Sequence, residues 1–444
     1  MSETFTSYWN EARQYLTGGV SSSFRINPFT GQPMYLSRAD GAYVNGVDGS
    51  RYIDFFMGHG ACTLGHNRPE IIAALRDVLQ YGFFAEYDHP LTLELAKKIV
   101  AHIPCAERVR FVNSGSEATL LAIRLARGYT GRKKIVRMDG HFHGGHDYAL
   151  PNNLAAYIDR DNPGDRVSRI VHYTAGIPET IGETLYLIPW NNAEVLEKLA
   201  QSRGEEIAAV LMNPIDYNNG CIGSSTEYLA AVRRICDEHG IVMILDEVLS
   251  GFRTGIACAQ GYYGVTPDLC LLAKALTNGV PLAAIAGKEE IMNKIMDPVD
   301  PVIAGGTFSG NLFGCAAGIA ALGIMEQPGF FEAWLRRVDR FYEQVQAIFD
   351  EEDFPAILQG IGCTFGIYVG TREPVRNYHD IAEKTDPDLR RAFFRECISK
   401  GLYFHTDFTV SAMHSEETLA EALNLLRGAT RQTRQKFSKH REVL

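Results

Sequence analysis

The sequence has no apolar run of 18 residues, and its first stretch, MSETFTSYWNEARQYL, is polar with no hydrophobic leader core. That argues against a helical membrane span and leads us to expect a soluble, cytoplasmic protein. Nine cysteines are scattered without a single C-x-x-C pair, so they read as reduced core residues rather than as a disulfide framework. Basic residues are in deficit, 43 Lys and Arg against 53 Asp and Glu for a net charge of -10, which argues against general nucleic-acid binding. No G-x-x-x-x-G-K-[ST] motif occurs. The nearest approach to a dinucleotide fingerprint, Gly360-Ile361-Gly362-Cys363-Thr364-Phe365-Gly366, misplaces its last glycine and comes late in the chain. Repeats and low-complexity segments are absent too. What remains is an ordinary globular composition, 46% hydrophobic and 22% charged over 444 residues, enough for two domains and a large core.

From about residue 92 to 325, helical patterns (92–103, 117–129, 193–202, 226–239, 312–325) alternate with apolar runs. The runs are Val109–Val112, Lys134–Arg137, Ile207–Met212, Ile241–Leu245, Leu269–Leu272 and Ala283–Ala286. Such alternation predicts a mainly parallel sheet with helices on both faces. Before it, residues 5–16 read as a short amphipathic helix ended by Gly18-Gly19, then an irregular loop, then a small antiparallel unit over 34–56 with turns at Asp40-Gly41 and Asp48-Gly49. After Pro328, amphipathic helices (331–350, 386–400, 415–427) and strands near 364–369 and 402–411 predict a smaller α+β unit that the N-terminal segment joins. The basic tail from Arg431 to Arg441 reads as a solvated helix end.

The chemistry gathers at strand ends. Ile241–Leu245 is a five-residue apolar run followed by Asp246-Glu247, the pattern of a strand buried on both faces. In an open α/β sheet its carboxyl end borders the ligand crevice. The next apolar run delivers Lys274, then a turn at Asn278-Gly279. A carboxylate and an amine at neighbouring strand ends suit pyridoxal phosphate, because the amine forms a Schiff base with the aldehyde and the carboxylate keeps the pyridine nitrogen protonated. A solvated lysine and a polar strand exit are the plainer alternatives.

Three further motifs bear on that choice. Val109–Val112 runs into Asn113-Ser114-Gly115-Ser116-Glu117-Ala118, where small residues and free first-turn N–H groups suit an anion. Ser114 there also reads as an N-cap, with Glu117 closing a capping box. Gly140-His141-Phe142-His143-Gly144-Gly145-His146-Asp147 can be laid over the H-x-H-x-D-H pattern of zinc hydrolases, but glycine falls where the carboxylate belongs. A metal-dependent hydrolase using His141, His143 and His146 is therefore a remote alternative, and no metal is expected. The other reading has Phe142 stack on a planar ring while His143-Gly144 turns the chain. Gly305-Gly306-Thr307-Phe308-Ser309-Gly310-Asn311 is another anion-friendly nest, or an ordinary glycine turn. Arg25 sits in the irregular loop GGVSSSFRINPFTGQP and suits a carboxylate bidentately. His59 reads equally as an acid/base group or as a packed histidine beside glycines.

The ordered set GGVSSSFR, YIDFFMGHGACTLGH, FVNSGSEA, HFHGGHD, LDEVLSGFR, LAKALTNG and GGTFSGN resembles the class III, fold type I, pyridoxal-phosphate aminotransferases. It is nearest the subgroup of glutamate-1-semialdehyde aminomutase and the D-phenylglycine and β-phenylalanine aminotransferases. The resemblance implies the fold type I architecture, a large domain with a mainly parallel seven-stranded sheet flanked by helices plus a smaller α+β domain. The ranges it implies are an N-terminal segment over 1–58 joining the small domain, a large cofactor domain over 59–328, and a C-terminal small domain over 329–444. It makes Lys274 the Schiff-base lysine and Asp246 the partner of the pyridine nitrogen. Ser114, Gly115 and Ser116 then hold the phosphate, Phe142 and Val248 take the two ring faces, and His143 lies beside the cofactor. Thr307 reaches the phosphate of a partner subunit in a homodimer. Arg25 binds a substrate carboxylate and His59 lines the pocket; apart from the resemblance, the unusually polar segment Asp216-Tyr217-Asn218-Asn219 is expected to face the substrate. The chain departs from the family pattern at Asn213-Pro214, where Glu-Pro is usual, at Asn311-Leu312 and at Thr277-Asn278-Gly279. An aminotransferase with small-molecule amino and keto substrates is the expectation, with an aminomutase or racemase on the same scaffold as the alternative.

Overall fold

The computed structural model describes residues 2–82, 84–172 and 174–441. The chain divides into two compact units. One takes residues up to Pro69, Trp334–Pro374 and the chain from Lys384 onward; the other takes Glu70–Ala333 and Val375–Glu383.

The second of these units holds a seven-stranded sheet, made of β1 (Arg108–Val112), β2 (Lys134–Met138), β3 (Leu185–Ile188), β4 (Ile207–Met212), β5 (Val242–Asp246), β6 (Leu269–Leu272) and β7 (Ala283–Gly287). Their order across the sheet is β1-β7-β6-β5-β4-β2-β3. Every pairing is parallel except the two made by β7, which runs antiparallel to β6 and β1. Every residue of β4, β5, β6 and β7 is buried, because helices cover both faces; that is why these strands read as unbroken apolar runs rather than alternating ones. Helix α1 (Gly115–Thr130) lays Ala118, Leu121, Ala122 and Leu125 against Ile244, Leu269, Leu271 and Ile285 of the sheet. It starts at the Ser114 N-cap and stops at Gly131, whose φ of 70° is the left-handed conformation that ends helices. β3 was not anticipated. It is a four-residue strand on the sheet edge, too short to show a period.

The other unit is built on an antiparallel meander of Leu36–Asp40, Tyr43–Gly46 and Arg51–Asp54. Its turns fall at Gly41 (φ 58°) and Gly49 (φ 82°), as the Asp-Gly pairs require. The strand expected near 402–411 is broken in two. Leu402–Tyr403 pairs parallel with Arg51–Asp54, while Phe408–Thr409 pairs with Thr364–Val369 in a different sheet. That second sheet includes Ala356–Ile361, which the sequence did not reveal. The last helix runs Glu416–Arg441, well past the expected end. Its basic residues Arg431, Arg434 and Lys436 are exposed, as expected, and each pairs with an acid. Arg431 Nε reaches Glu352 at 2.8 Å, Arg434 reaches Asp353 at 3.0 Å and Lys436 reaches Glu396 at 2.8 Å. No helix among the described residues is long and apolar enough to cross a membrane.

Candidate active site

Asp246 and Lys274 lie at two neighbouring strand ends. β5 and β6 are parallel neighbours in which Asp246 pairs with Leu271, so Asp246 stands at the sheet's carboxyl edge and Lys274 follows three residues beyond its partner. Lys274 has φ of 49°, a left-handed conformation that costs a non-glycine residue on the order of 1 kcal/mol and that the surrounding turn must hold. The turn is held by Thr277 and Gly279, whose N–H groups donate to the Lys274 carbonyl at 3.2 and 3.4 Å. Asp246 is 3% exposed. Its Oδ2 lies 2.7 Å from His143 Nδ1, and its Oδ1 accepts from the Val248 N–H at 3.0 Å. Burial lowers the pKa of His143 even though the bond to Asp246 works to raise it. A neutral ring therefore orients the carboxylate without cancelling its charge.

The head of α1 forms the second part. Ser114 Oγ accepts from the Glu117 N–H at 3.2 Å, the N-cap the sequence predicts. The Glu117 carboxylate reaches back to the Asn113 N–H at 2.9 Å, one residue earlier than a capping box closes. The N–H groups of Gly115 and Ser116 have no acceptor among the described residues. A Cβ on Gly115 would lie 2.8 Å from Val248 Cγ1, so only glycine lets Val248 pack against this turn. Gly144 approaches equally closely, since a Cβ there would stand 2.9 Å from Ser116 Cα. Gly145 donates its N–H to Ser116 Oγ at 3.1 Å. Ser114, Gly115, Ser116, His143, Asp246 and Val248 are thus drawn into one constellation by direct contacts. Two free amides at the N-terminus of a 16-residue helix are a fit for a phosphate.

The histidine-rich turn is pinned, ring by ring. The Asn213 N–H donates to His141 Nδ1 at 3.0 Å, His143 faces Asp246, and His146 Nε2 lies 2.8 Å from Thr119 Oγ1. Burial lowers the pKa of His141 and takes His146 down to about 4. Among the described residues no group of three His, Cys, Asp or Glu is arranged to hold a metal. Behind the turn lies Arg137, fully buried in β2, whose guanidinium donates to the carbonyls of Tyr148 (2.9 Å), Pro151 (3.0 Å) and His141 (3.0 Å). Burial lowers its pKa to about 10, so it stays cationic. Sequence reasoning passed over it, though a charge inside the run Lys134–Met138 was the signal. Phe142 is half-buried, and its carbonyl accepts from Asn213 Nδ2 at 3.3 Å.

The polar segment after β4 has its own anchor. Asp216, wholly buried, accepts from Tyr378 Oη at 2.8 Å, Asn219 Nδ2 at 2.6 Å and the Asn218 N–H at 2.9 Å. Tyr378 in turn packs where Gly140 leaves room and stacks on Trp190 at 5.9 Å. Asn218 is half-buried, its backbone fixed by Asp216. Thr307 is exposed, and its carbonyl accepts from the Glu86 N–H at 3.1 Å.

Arg25 and His59 belong to the other unit. Arg25 is exposed in a pocket of about 410 Å³ that it lines with Tyr8, Glu11, Tyr15 and Tyr35, and its guanidinium has no hydrogen bond or ion pair among the described residues. His59 adopts φ of 56° and its Nδ1 lies 2.9 Å from the buried Asp407.

The sequence matches the family described as Aminotransferase class-III over residues 27–424. A glutamate-1-semialdehyde 2,1-aminomutase of Methanobrevibacter smithii is 38% identical over 420 residues, 93% of this chain and 95% of that protein. An ω-transaminase from Sphaerobacter thermophilus superposes with a TM-score of 0.90 at 27% identity, covering 97% of this chain and 98% of that one. A β-phenylalanine aminotransferase from Variovorax paradoxus gives 0.84 at 26% identity, over 96% and 93%. The left-handed lysine, the histidine-held carboxylate and the open helix N-terminus fit the cofactor of such enzymes. The chain belongs to the class III aminotransferases, pyridoxal-phosphate-dependent enzymes of fold type I.

Proposed function

We propose that this protein is an aminotransferase that moves an amino group between an amino-acid-type donor and a carboxylate-bearing carbonyl acceptor, with Lys274 and Asp246 as its catalytic pair. The observation that carries the reading is Lys274 in a left-handed turn just beyond the strand that pairs with the one ending in Asp246, a buried carboxylate that His143 orients. When bound, pyridoxal 5′-phosphate supplies an aldehyde that condenses with amines and a ring that takes up electrons from the carbon bearing the amine. Lys274 Nζ serves as the anchoring amine and as the base that moves a proton to and from that carbon. Asp246 would hold the proton on the cofactor's ring nitrogen, and Phe142 and Val248 would pack against its ring. The Gly115 and Ser116 amides, with the Ser114 and Ser116 hydroxyls, take the phosphate.

Arg25 supplies the substrate's carboxylate contact, a reading supported by its having no ion pair among the described residues, and His59 and Asn218 line the substrate side. The functional unit is a homodimer in which Thr307 contributes to the partner's phosphate site. Its support is an apolar surface, with Tyr87 at 78%, Ile303 at 71% and Phe308 at 64% exposure, around the Glu86–Thr307 bond.

A second reading, an aminomutase that returns the amino group to the same substrate, is favoured by the relative in M. smithii. Turnover of candidate amino acids with and without an added keto acid separates the two. An aminotransferase stops after one equivalent unless the keto acid is present, whereas an aminomutase turns over without it.

A further inference from the structure

Met57, Gly58, His59 and Gly60 have φ of 49°, 64°, 56° and 61°, four residues in succession in the left-handed region. Two of them carry side chains that this conformation crowds, so the surroundings must hold the turn. Asp54 braces its start. Its Oδ1 accepts from the N–H groups of Phe56 at 2.9 Å and Met57 at 3.2 Å, while Oδ2 lies 2.8 Å from His66 Nε2. A distant stretch of chain is tied alongside. The Phe55 N–H donates to the Tyr403 carbonyl at 3.0 Å, and the Phe55 carbonyl accepts from the Thr409 N–H at 2.7 Å. His405, Thr406 and Asp407 lie between those two bonds and are carried against the turn.

The two stretches meet at His59. Its Nδ1 lies 2.9 Å from Asp407 Oδ1, an oxygen that also accepts from Thr406 Oγ1 at 2.8 Å. The Asp407 side chain is 1% exposed and that of His59 33%. Phe56 walls the pair, its ring edge-on to His59 at 4.4 Å and stacked on His405 at 4.4 Å. His405 is the other titratable group facing the His59 ring, 5.5 Å away, and burial takes its pKa down to about 4, so it adds no charge. A carboxylate accepts and does not donate. The neutral His59 ring therefore carries its proton on Nδ1 and presents a lone pair on Nε2. That nitrogen has no hydrogen bond among the described residues.

We propose that His59 is the base that takes a proton from the ammonium group of the incoming amino donor, and that Asp407 is the positioning residue that fixes the His59 tautomer for that step. Amino acids carry an ammonium group at neutral pH, and an ammonium nitrogen has no lone pair with which to attack. The Nε2 lone pair bonds to one ammonium proton as the N–H bond breaks, and the electron pair of that bond stays on the donor nitrogen. The ring becomes a cation facing the Asp407 carboxylate, which offsets its charge. The Nδ1 proton does not move. The proton gained leaves through water, to which the half-exposed ring is open. This role rests on the proposed reaction and on His59 facing the substrate.

The test follows the first half-reaction in a single turnover. The cofactor-loaded enzyme is mixed in turn with the common protein amino acids and β-alanine, and visible absorbance is recorded. The fastest donor is then taken from about pH 7 to about pH 9.5 with two variants. His59→Asn suits the left-handed backbone and removes the base. Asp407→Asn keeps the shape, but its amide donates to Nδ1 and moves the ring proton to Nε2. The result expected is that both variants react at least tenfold more slowly than wild type near pH 7. As the pH approaches the donor amine's own pKa, its nitrogen sheds the proton unaided and the gap closes to less than threefold. A gap that stays constant with pH would make the pair structural, and wild-type rates near pH 7 would remove it from catalysis. No absorbance change in the wild type with any donor would instead overturn the reading of an amino-acid donor, and this role with it.

Discussion

Asp246 and Arg25 carry the account at the scale of single residues. Burial lowers the pKa of His143, whose ring lies 2.7 Å from Asp246 Oδ2 and orients it for its proposed part toward the pyridine nitrogen. Asp246→Asn keeps the shape and removes the charge. It should lower kcat at least a hundredfold while the cofactor stays bound, read by steady-state kinetics and visible absorption. A near-normal rate would show the residue to be no more than the strand's polar exit. For Arg25→Ala, kcat/KM for a carboxylated substrate should fall by about 2–5 kcal/mol, the loss of a bidentate charged pair, with Arg25→Lys recovering only part. Equal losses for carboxylated and uncarboxylated amines would make Arg25 structural. The places of Lys274 and Asp246 at neighbouring strand ends were legible because each is a charge closing an apolar run. Asp216 was not, because its meaning depends on Tyr378, 162 positions further on, and no spacing rule joins them.

Elements show why the site is where it is. β5 and β6 put Asp246 and Lys274 on one edge, and α1 opens its N-terminus there because Gly115 and Gly144 allow backbone and side chains to close up. Gly144 has φ of 103°, and a methyl there would meet Ser116 at 2.9 Å from Cα. Gly144→Ala should therefore fold yet bind pyridoxal phosphate at least tenfold more weakly, measured by titrating the apo-protein and following visible absorbance; unchanged affinity would remove this turn from the phosphate site. The central strands were readable because burial on both faces makes them unbroken apolar runs. Leu185–Ile188, at the sheet edge, and Ala356–Ile361, with most of its residues only partly buried, were not. The split at 402–411 follows from the chain leaving one sheet for another at Phe404–Asp407, which local propensity does not record.

Stability as a whole should carry the imprint of one raised pKa. His66 stays protonated up to about 10 in the folded protein, against 6.5 for an ordinary histidine. It binds a proton that the unfolded chain has released, so its contribution is full below about pH 6.5 and is lost as pH rises towards 10. The difference in urea midpoint between the native protein and His66→Gln should be largest near pH 6 and shrink by pH 10; a constant difference would mean that the Asp54–His66 pair adds no charge-dependent stability. The central claim, that the whole chain is organised to place an amine at Lys274 for pyridoxal phosphate, has a direct test. The cofactor-loaded enzyme is reduced with sodium borohydride, digested, and its lysine peptides weighed. The account predicts one phosphopyridoxyl group per chain, on Lys274. Attachment at another lysine, or no attachment in a protein that binds the cofactor, would contradict it.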